Sequence, residues 1–163
     1  MEPKFKVHIG IERPVAEVFD AVYNPKKLSG YFTTGGASAP LDEGTTVTWA
    51  FADAPSEAGT GFPVVVKKVV PEESITLEWE GEDGGHTTVQ VTFKELEGGS
   101  TLVSIEESGF SDTDQGFRNS YGNCMGWSQM ISALKAFVEY GINLRKGAYP
   151  PALMEAIKKP ASA

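Results

Sequence analysis

The chain of 163 residues carries a single cysteine, Cys124, and only two histidines, His8 and His86. One thiol excludes an internal disulfide framework, and the separation of Cys124 from both histidines lacks the spacing of a zinc site. Neither a metal nor a cofactor is expected. No apolar run approaches the roughly 18 residues of a membrane-spanning helix, so membrane insertion is not expected either. Positive charge is in short supply: 14 Lys and Arg stand against 22 Asp and Glu, a formal net charge of −8. The pairs Lys26/Lys27, Lys67/Lys68 and Lys158/Lys159 are scattered, whereas a phosphate backbone is met by clustered cations that displace its counterions. Nucleic acid is therefore not an expected partner. The opening "MEPKFKVHIGIERP" has no apolar signal core followed by small residues, which makes a reducing cytoplasm the expected location. Catalytic signatures are missing too. "GTG" at Gly59–Gly61 lies ahead of a strand rather than between strand and helix, and no G-x-S-x-G elbow occurs.

What is present is a core. Hydrophobic residues make up 40% of the chain, enough for one compact domain of this length. "FKVHIGIE" alternates Phe5, Val7, Ile9 and Ile11 against polar positions, the period-two pattern of a half-buried strand with His8 facing away. "RPVAEVFDAVYNP" switches to helical spacing through Val15, Val18, Phe19 and Val22, with Pro14 in the first turn and Pro25 as a stop. "KKLSGYF" holds one further helical turn before a turn-rich stretch. From Gly44 onward, "TTVTWAF", "FPVVVKKVV", "SITLEWE", "TTVQVTFKEL" and "TLVSIEESGF" read as five strands joined by hairpin connections. Their inward sets include Val47, Trp49 and Phe51, then Ile75, Leu77 and Trp79, then Val89, Val91 and Phe93, and finally Val103 and Ile105. The pattern predicts an α+β domain over residues 1–144, an antiparallel sheet with its helices on one face, followed by a tail over 145–163.

"YGNCMGWSQMISALKAFVEYGINL", Tyr121 to Leu144, predicts one long helix whose stripe gathers Cys124, Trp127, Ile131, Leu134 and Val138. Two glycines inside it, Gly122 and Gly126, each cost about 1 kcal/mol relative to alanine. Such a cost suggests close approach by a neighbouring backbone or a local irregularity in the helix. In the tail, Gly147 is a stop signal, and Leu153, Met154 and Ile157 form a short amphipathic piece with three open readings: a cap on a cavity mouth, a cover for a second subunit, or a frayed end.

The order of elements, together with "IERPVAEVFDAVYNPKKLSGYFTTGG", "SITLEWE", "ESGF" and "GWSQMISALKAFVEYG", resembles the Hsp90 ATPase activator homologues of the START-like helix-grip superfamily, over roughly residues 5–144. The resemblance implies a curved antiparallel sheet wrapped around the long C-terminal helix, with short helices after the first strand. Between them it implies an apolar cavity, for which Phe32, Trp49, Phe51, Trp79, Cys124, Trp127 and Ile131 are the candidate ligand-facing residues. Strand alternation sends one carboxylate, Glu107, the same way. In an apolar cavity Glu107 would have a raised pKa and serve as ligand anchor, acid or base. At a rim, or on a bulge near Gly109, it would stay wet. Cys124 reads either as a reactive thiol or as a small buried hydrophobe.

Three functions follow as expectations. The first is a binding module for a hydrophobic or amphipathic small molecule. The second is an Hsp90-associated activator, although the chain lacks the separate N-terminal domain of the eukaryotic co-chaperones. The third is a cyclase- or hydrolase-type enzyme built on Glu107, for which the sequence offers no second catalytic group. A homodimer belongs among the candidate assemblies.

Overall fold

A computed structural model describes residues 1–53, 60–81 and 84–158. The first strand, β1, spans Phe5–Ile11 with alternating exposure, as its period-two pattern predicts. Two short helices follow, α1 over Val15–Tyr23 and α2 over Pro25–Leu28. Pro25 does more than stop α1. It occupies the first turn of α2, where a missing N–H costs nothing, while the Asn24 side chain accepts from the Lys26 backbone N–H at 3.0 Å.

A two-residue strand that the pattern did not predict, β2 at Gly36–Ala37, pairs with β3 at Thr46–Ala50. The remaining strands are β4 at Phe62–Val70, β5 at Ser74–Glu80, β6 at His86–Glu95 and β7 at Thr101–Ser108. They form a seven-stranded antiparallel sheet in the order β1-β7-β6-β5-β4-β3-β2. A register shift between Val66 and Lys68 breaks the β4–β5 ladder, the kind of bulge that bends a strand and increases twist. The inward sets are buried as alternation requires, with Ile75, Leu77, Val89, Val103 and Ile105 fully enclosed.

The long helix α3 runs from Asp114 to Tyr140, seven residues earlier in its start than the sequence pattern suggests. Its N-cap is Thr113, whose side-chain oxygen accepts from the Gly116 N–H at 3.0 Å, an arrangement worth about 1 kcal/mol. Gly141 ends it in the left-handed conformation, φ 67°, as a glycine after a helix commonly does. Trp127, Met130, Ile131, Ala133 and Leu134 form its buried stripe, whereas Cys124 and Val138 are only half-buried. The end of α3 is clamped to β1 and to the connection between β1 and α1. Glu139 accepts from the Glu12 N–H and from Lys135, Lys135 also donates to the Gly10 carbonyl, and Arg13 donates to the carbonyls of Val138 and Glu139. After Gly141 the chain turns back over α3 as an irregular strap, residues 141–150, before the short helix α4 at Pro151–Lys158. Leu153 of α4 is partly exposed. The side chains of Met154 and Ile157 lie outside the described residues.

Candidate functional site

The concave side of β3, β4 and β5 presents aromatic rings to the N-terminal half of α3. Trp79 and Trp127 stack with centroids 5.6 Å apart and planes 10° from parallel. Phe32, just beyond α2, stacks on Trp127 at 5.7 Å and meets Trp49 and Phe51 edge-on at 5.6 and 5.0 Å. Phe62 joins them, stacked on Phe51 and edge-on to Trp49 and Trp79. Each such pair contributes about 0.5–1.5 kcal/mol beyond its buried area, so the rings form a rigid wall. One polar atom in the wall is left over. Trp49 is 1% exposed, and its Nε1–H has no acceptor among the described residues, a deficit that ordinarily costs about 1–3 kcal/mol.

Glu107 lies beside this wall on β7, fully buried. Its Oε1 accepts from the Thr87 hydroxyl at 2.7 Å and the Asn123 amide at 3.0 Å, and its Oε2 accepts from the Trp127 indole N–H at 2.9 Å. Burial raises the pKa of the carboxyl, and these neutral donors offset that rise only in part. Both readings of Glu107 as a wet rim residue are therefore overturned. It is a buried acceptor that ties β6 and α3 to β7.

Between the aromatic wall and α3 lies a half-open cleft of about 750 Å³, within the usual range for small-molecule sites. On the helix side Gln115, Arg118, Asn119, Gly122, Gly126 and Gln129 line it, the spacing of one helical face. A Cβ built on Gly122 or Gly126 would meet nothing within 4 Å. The expectation of close backbone approach at these glycines is corrected here: they leave space open. Close approach occurs one element-end earlier, at Gly116, where a Cβ would lie 1.9 Å from the Ser111 carbonyl oxygen.

The strap closes one end of the cleft. Arg145 makes a two-pronged ion pair with Asp53, Nε to Oδ2 at 2.7 Å and Nη2 to Oδ1 at 3.0 Å. Its guanidinium carbon sits 4.8 Å from the centre of the Phe51 ring and 4.9 Å from that of Tyr149. The Tyr149 hydroxyl donates to Gln129 of α3. Partial burial pushes the Asp53 carboxyl up, but Arg145 and the Thr34 hydroxyl outweigh it and hold the group below its ordinary value. A second cleft opens on the far side of the strap, lined by Tyr31, Met130, Ala133, Leu144, Ala148 and Leu153, and Arg145 and Tyr149 face both spaces.

Of the residues expected at a cavity, Phe32, Trp49, Phe51, Trp79 and Trp127 come together in one wall. Ile131 does not; it lies one turn beyond Trp127 and packs into the core. Cys124 is half-buried, unbridged and outside the cleft lining, so it is neither the enclosed hydrophobe nor a ligand-facing thiol. Phe62, Arg145 and Tyr149 went unrecognised. Phe62 was within reach, since it shares the inward phase of Val64 and Val66 on β4. Arg145 was not, because its partner Asp53 is 92 positions away. Among the described residues no cluster of three His, Cys, Asp or Glu could hold a metal ion, and no helix is long and apolar enough to cross a membrane.

No curated protein matches the chain in sequence. Solved structures share its fold at low identity. Protein SSP2350 of Staphylococcus saprophyticus superposes with a TM-score of 0.72 at 24% identity, covering 88% of this chain and 96% of that one. An Aha1 of Colwellia psychrerythraea, solved as a dimer, gives 0.67 at 20% identity over 85% of this chain and 98% of its own. An HSP90 activator of Plasmodium falciparum gives 0.65 at 14% identity over 83% and 95%. The sequence model described as activator of Hsp90 ATPase homolog 1-like protein matches residues 12–139, from just after β1 to the last turn of α3. By that match, which takes in α1, α2, strands β2 to β7 and nearly all of α3 and leaves out β1, the chain belongs to the activator of Hsp90 ATPase homolog 1-like family.

Proposed function

We propose that this protein is a small-molecule binding module that holds a hydrophobic or amphipathic ligand in the cleft between the aromatic wall and α3. The observation that carries this reading is the pair of glycines on α3. Gly122 and Gly126 weaken the helix at the point where side chains would fill the cleft, and no neighbour occupies the space they leave. A helix that gives up stability to keep a concavity open fits a binding role better than a packing role. Glu107 supports the same reading. Its oxygens are committed to Thr87, Asn123 and Trp127, which suits a positioning residue for the two stacked indoles rather than an acid or base free to exchange a proton with substrate.

Native mass spectrometry of protein purified from its own host tests the proposal. A retained small molecule, lost on denaturation, is the expected result. An empty protein whose tryptophan emission and thermal midpoint also ignore fatty acids, sterols and aromatic probes would remove the reading. The family match favours a second reading, an Hsp90-activating partner, and an ATPase assay with the host Hsp90 tests it directly. Stimulation that survives filling of the cleft would place that activity on another surface.

A further inference from the structure

The lining of the cleft is unusual in what it leaves out. Eight of its side chains are aromatic and none is Leu, Ile or Val; the one flexible aliphatic chain, Met125, is largely exposed. A flexible acyl chain is served as well by branched aliphatic walls, which adapt to it. Flat ring faces held at fixed angles instead match another flat ring, through offset stacking and edge-to-face contact. The polar groups point to a matching complement. Trp49 offers a buried indole N–H without an acceptor, and Arg118 has no ion pair or hydrogen bond among the described residues. Glu107, the buried acceptor nearby, is saturated by donors, and Arg145 is engaged by Asp53. Glu80 supplies a carboxylate in the lining, and it is exposed. Trp49 and Arg118 thus leave donor capacity unused at the cleft, which acceptor groups on a ligand would meet.

We propose, building on the binding role above, that the cleft selects a flat, multi-ring aromatic molecule bearing carbonyl or acidic oxygen groups, and that it discriminates against fatty acyl chains and saturated ring systems. Phe62, Trp79 and Tyr149, the half-buried rings of the lining, supply the stacking faces, Trp49 Nε1–H the buried donor, and Arg118 the charge at the mouth.

Calorimetric titration of the full chain with three carboxylic acids tests this: anthracene-2-carboxylate, its fully saturated counterpart, and palmitate. Anthracene-2-carboxylate is expected to bind at least about tenfold more tightly than either of the others, the scale of a few aromatic contacts. Arg118→Gln, a surface change, should weaken anthracene-2-carboxylate several-fold while leaving the melting temperature in place, and Trp49→Phe should weaken it further. Equal or tighter binding of palmitate or the saturated acid would overturn the proposed ligand class and leave the binding role standing. Unchanged affinity in both Arg118→Gln and Trp49→Phe would overturn the assigned acceptor complement. Failure of all three acids to bind would overturn this inference, while the retained molecule sought by native mass spectrometry decides the binding role separately.

Discussion

At the scale of single residues, Glu107 shows how a carboxylate can be both costly and structurally required. Its folded pKa is raised above 4.5 by burial, so the folded protein holds this proton more tightly than the unfolded chain. The stability linked to that proton is complete below about pH 4.5 and is lost as the pH rises through the folded pKa, after which it levels off. An NMR titration of the Glu107 carboxyl should therefore show a midpoint above 4.5, and a midpoint below it would mean that the donors outweigh burial. Truncation has a different cost from neutralisation. Glu107→Ala leaves the donors of Thr87, Asn123 and Trp127 buried without an acceptor, an expected loss of about 3–5 kcal/mol in chemical denaturation. Glu107→Gln keeps one acceptor oxygen and should lose roughly half as much, while abolishing the pH dependence that this group contributes. Equal stabilities of the two variants would show that the hydrogen bonds are energetically idle.

Among the elements, α3 carries the clearest contrast. Gly126→Ala adds a Cβ into open space, so helix propensity should win and raise stability by up to about 1 kcal/mol. Gly116→Ala adds one against the Ser111 carbonyl, and overpacking should lower stability by about 1–3 kcal/mol or more. Thermal melts of the two variants should move in opposite directions; a fall for Gly126→Ala would return that glycine to a packing role. The same helix marks the limit of what sequence reveals. Strands β3 to β7 were legible because alternation and hairpin turns are local, and Trp49 and Trp79 fell on their correct faces for that reason. Helical spacing shows which residues share a face, but not whether a neighbour lies opposite, so Gly122 and Gly126 were read as contacts when they are vacancies in a cleft wall. The early turns of α3, with Gln115, Arg118 and Asn119, escaped because their polar face breaks the apolar stripe that signals a buried helix.

Over the whole molecule, the strap joins the far end of the chain to the loop after β3, and Asp53 is the only acid paired with Arg145 among the described residues. Asp53→Asn removes one charge from a two-pronged pair that is 19% exposed on either side. Because the Asp53 pKa is lowered, the stability it contributes is present above 3.8 and is lost as the pH falls through the folded value. Hydrogen exchange should report faster opening of residues 141–150 in Asp53→Asn at neutral pH, and the wild type should approach that behaviour in acid. Protection of α3 itself should be unaffected, since Arg13, Lys135 and Glu139 clamp it independently. Unaltered exchange in the strap would show that Tyr149 and Gln129 hold it without the ion pair. The Trp79–Trp127 stack has an optical consequence as well. Two indoles 5.6 Å apart and nearly parallel couple their electronic transitions, so the pair should produce an exciton couplet in circular dichroism. A guest that wedges the rings apart, or a Glu107 variant that lets Trp127 rotate, would dim that couplet before any backbone signal moves, giving the fold a built-in chromophore for the occupancy of its own cleft.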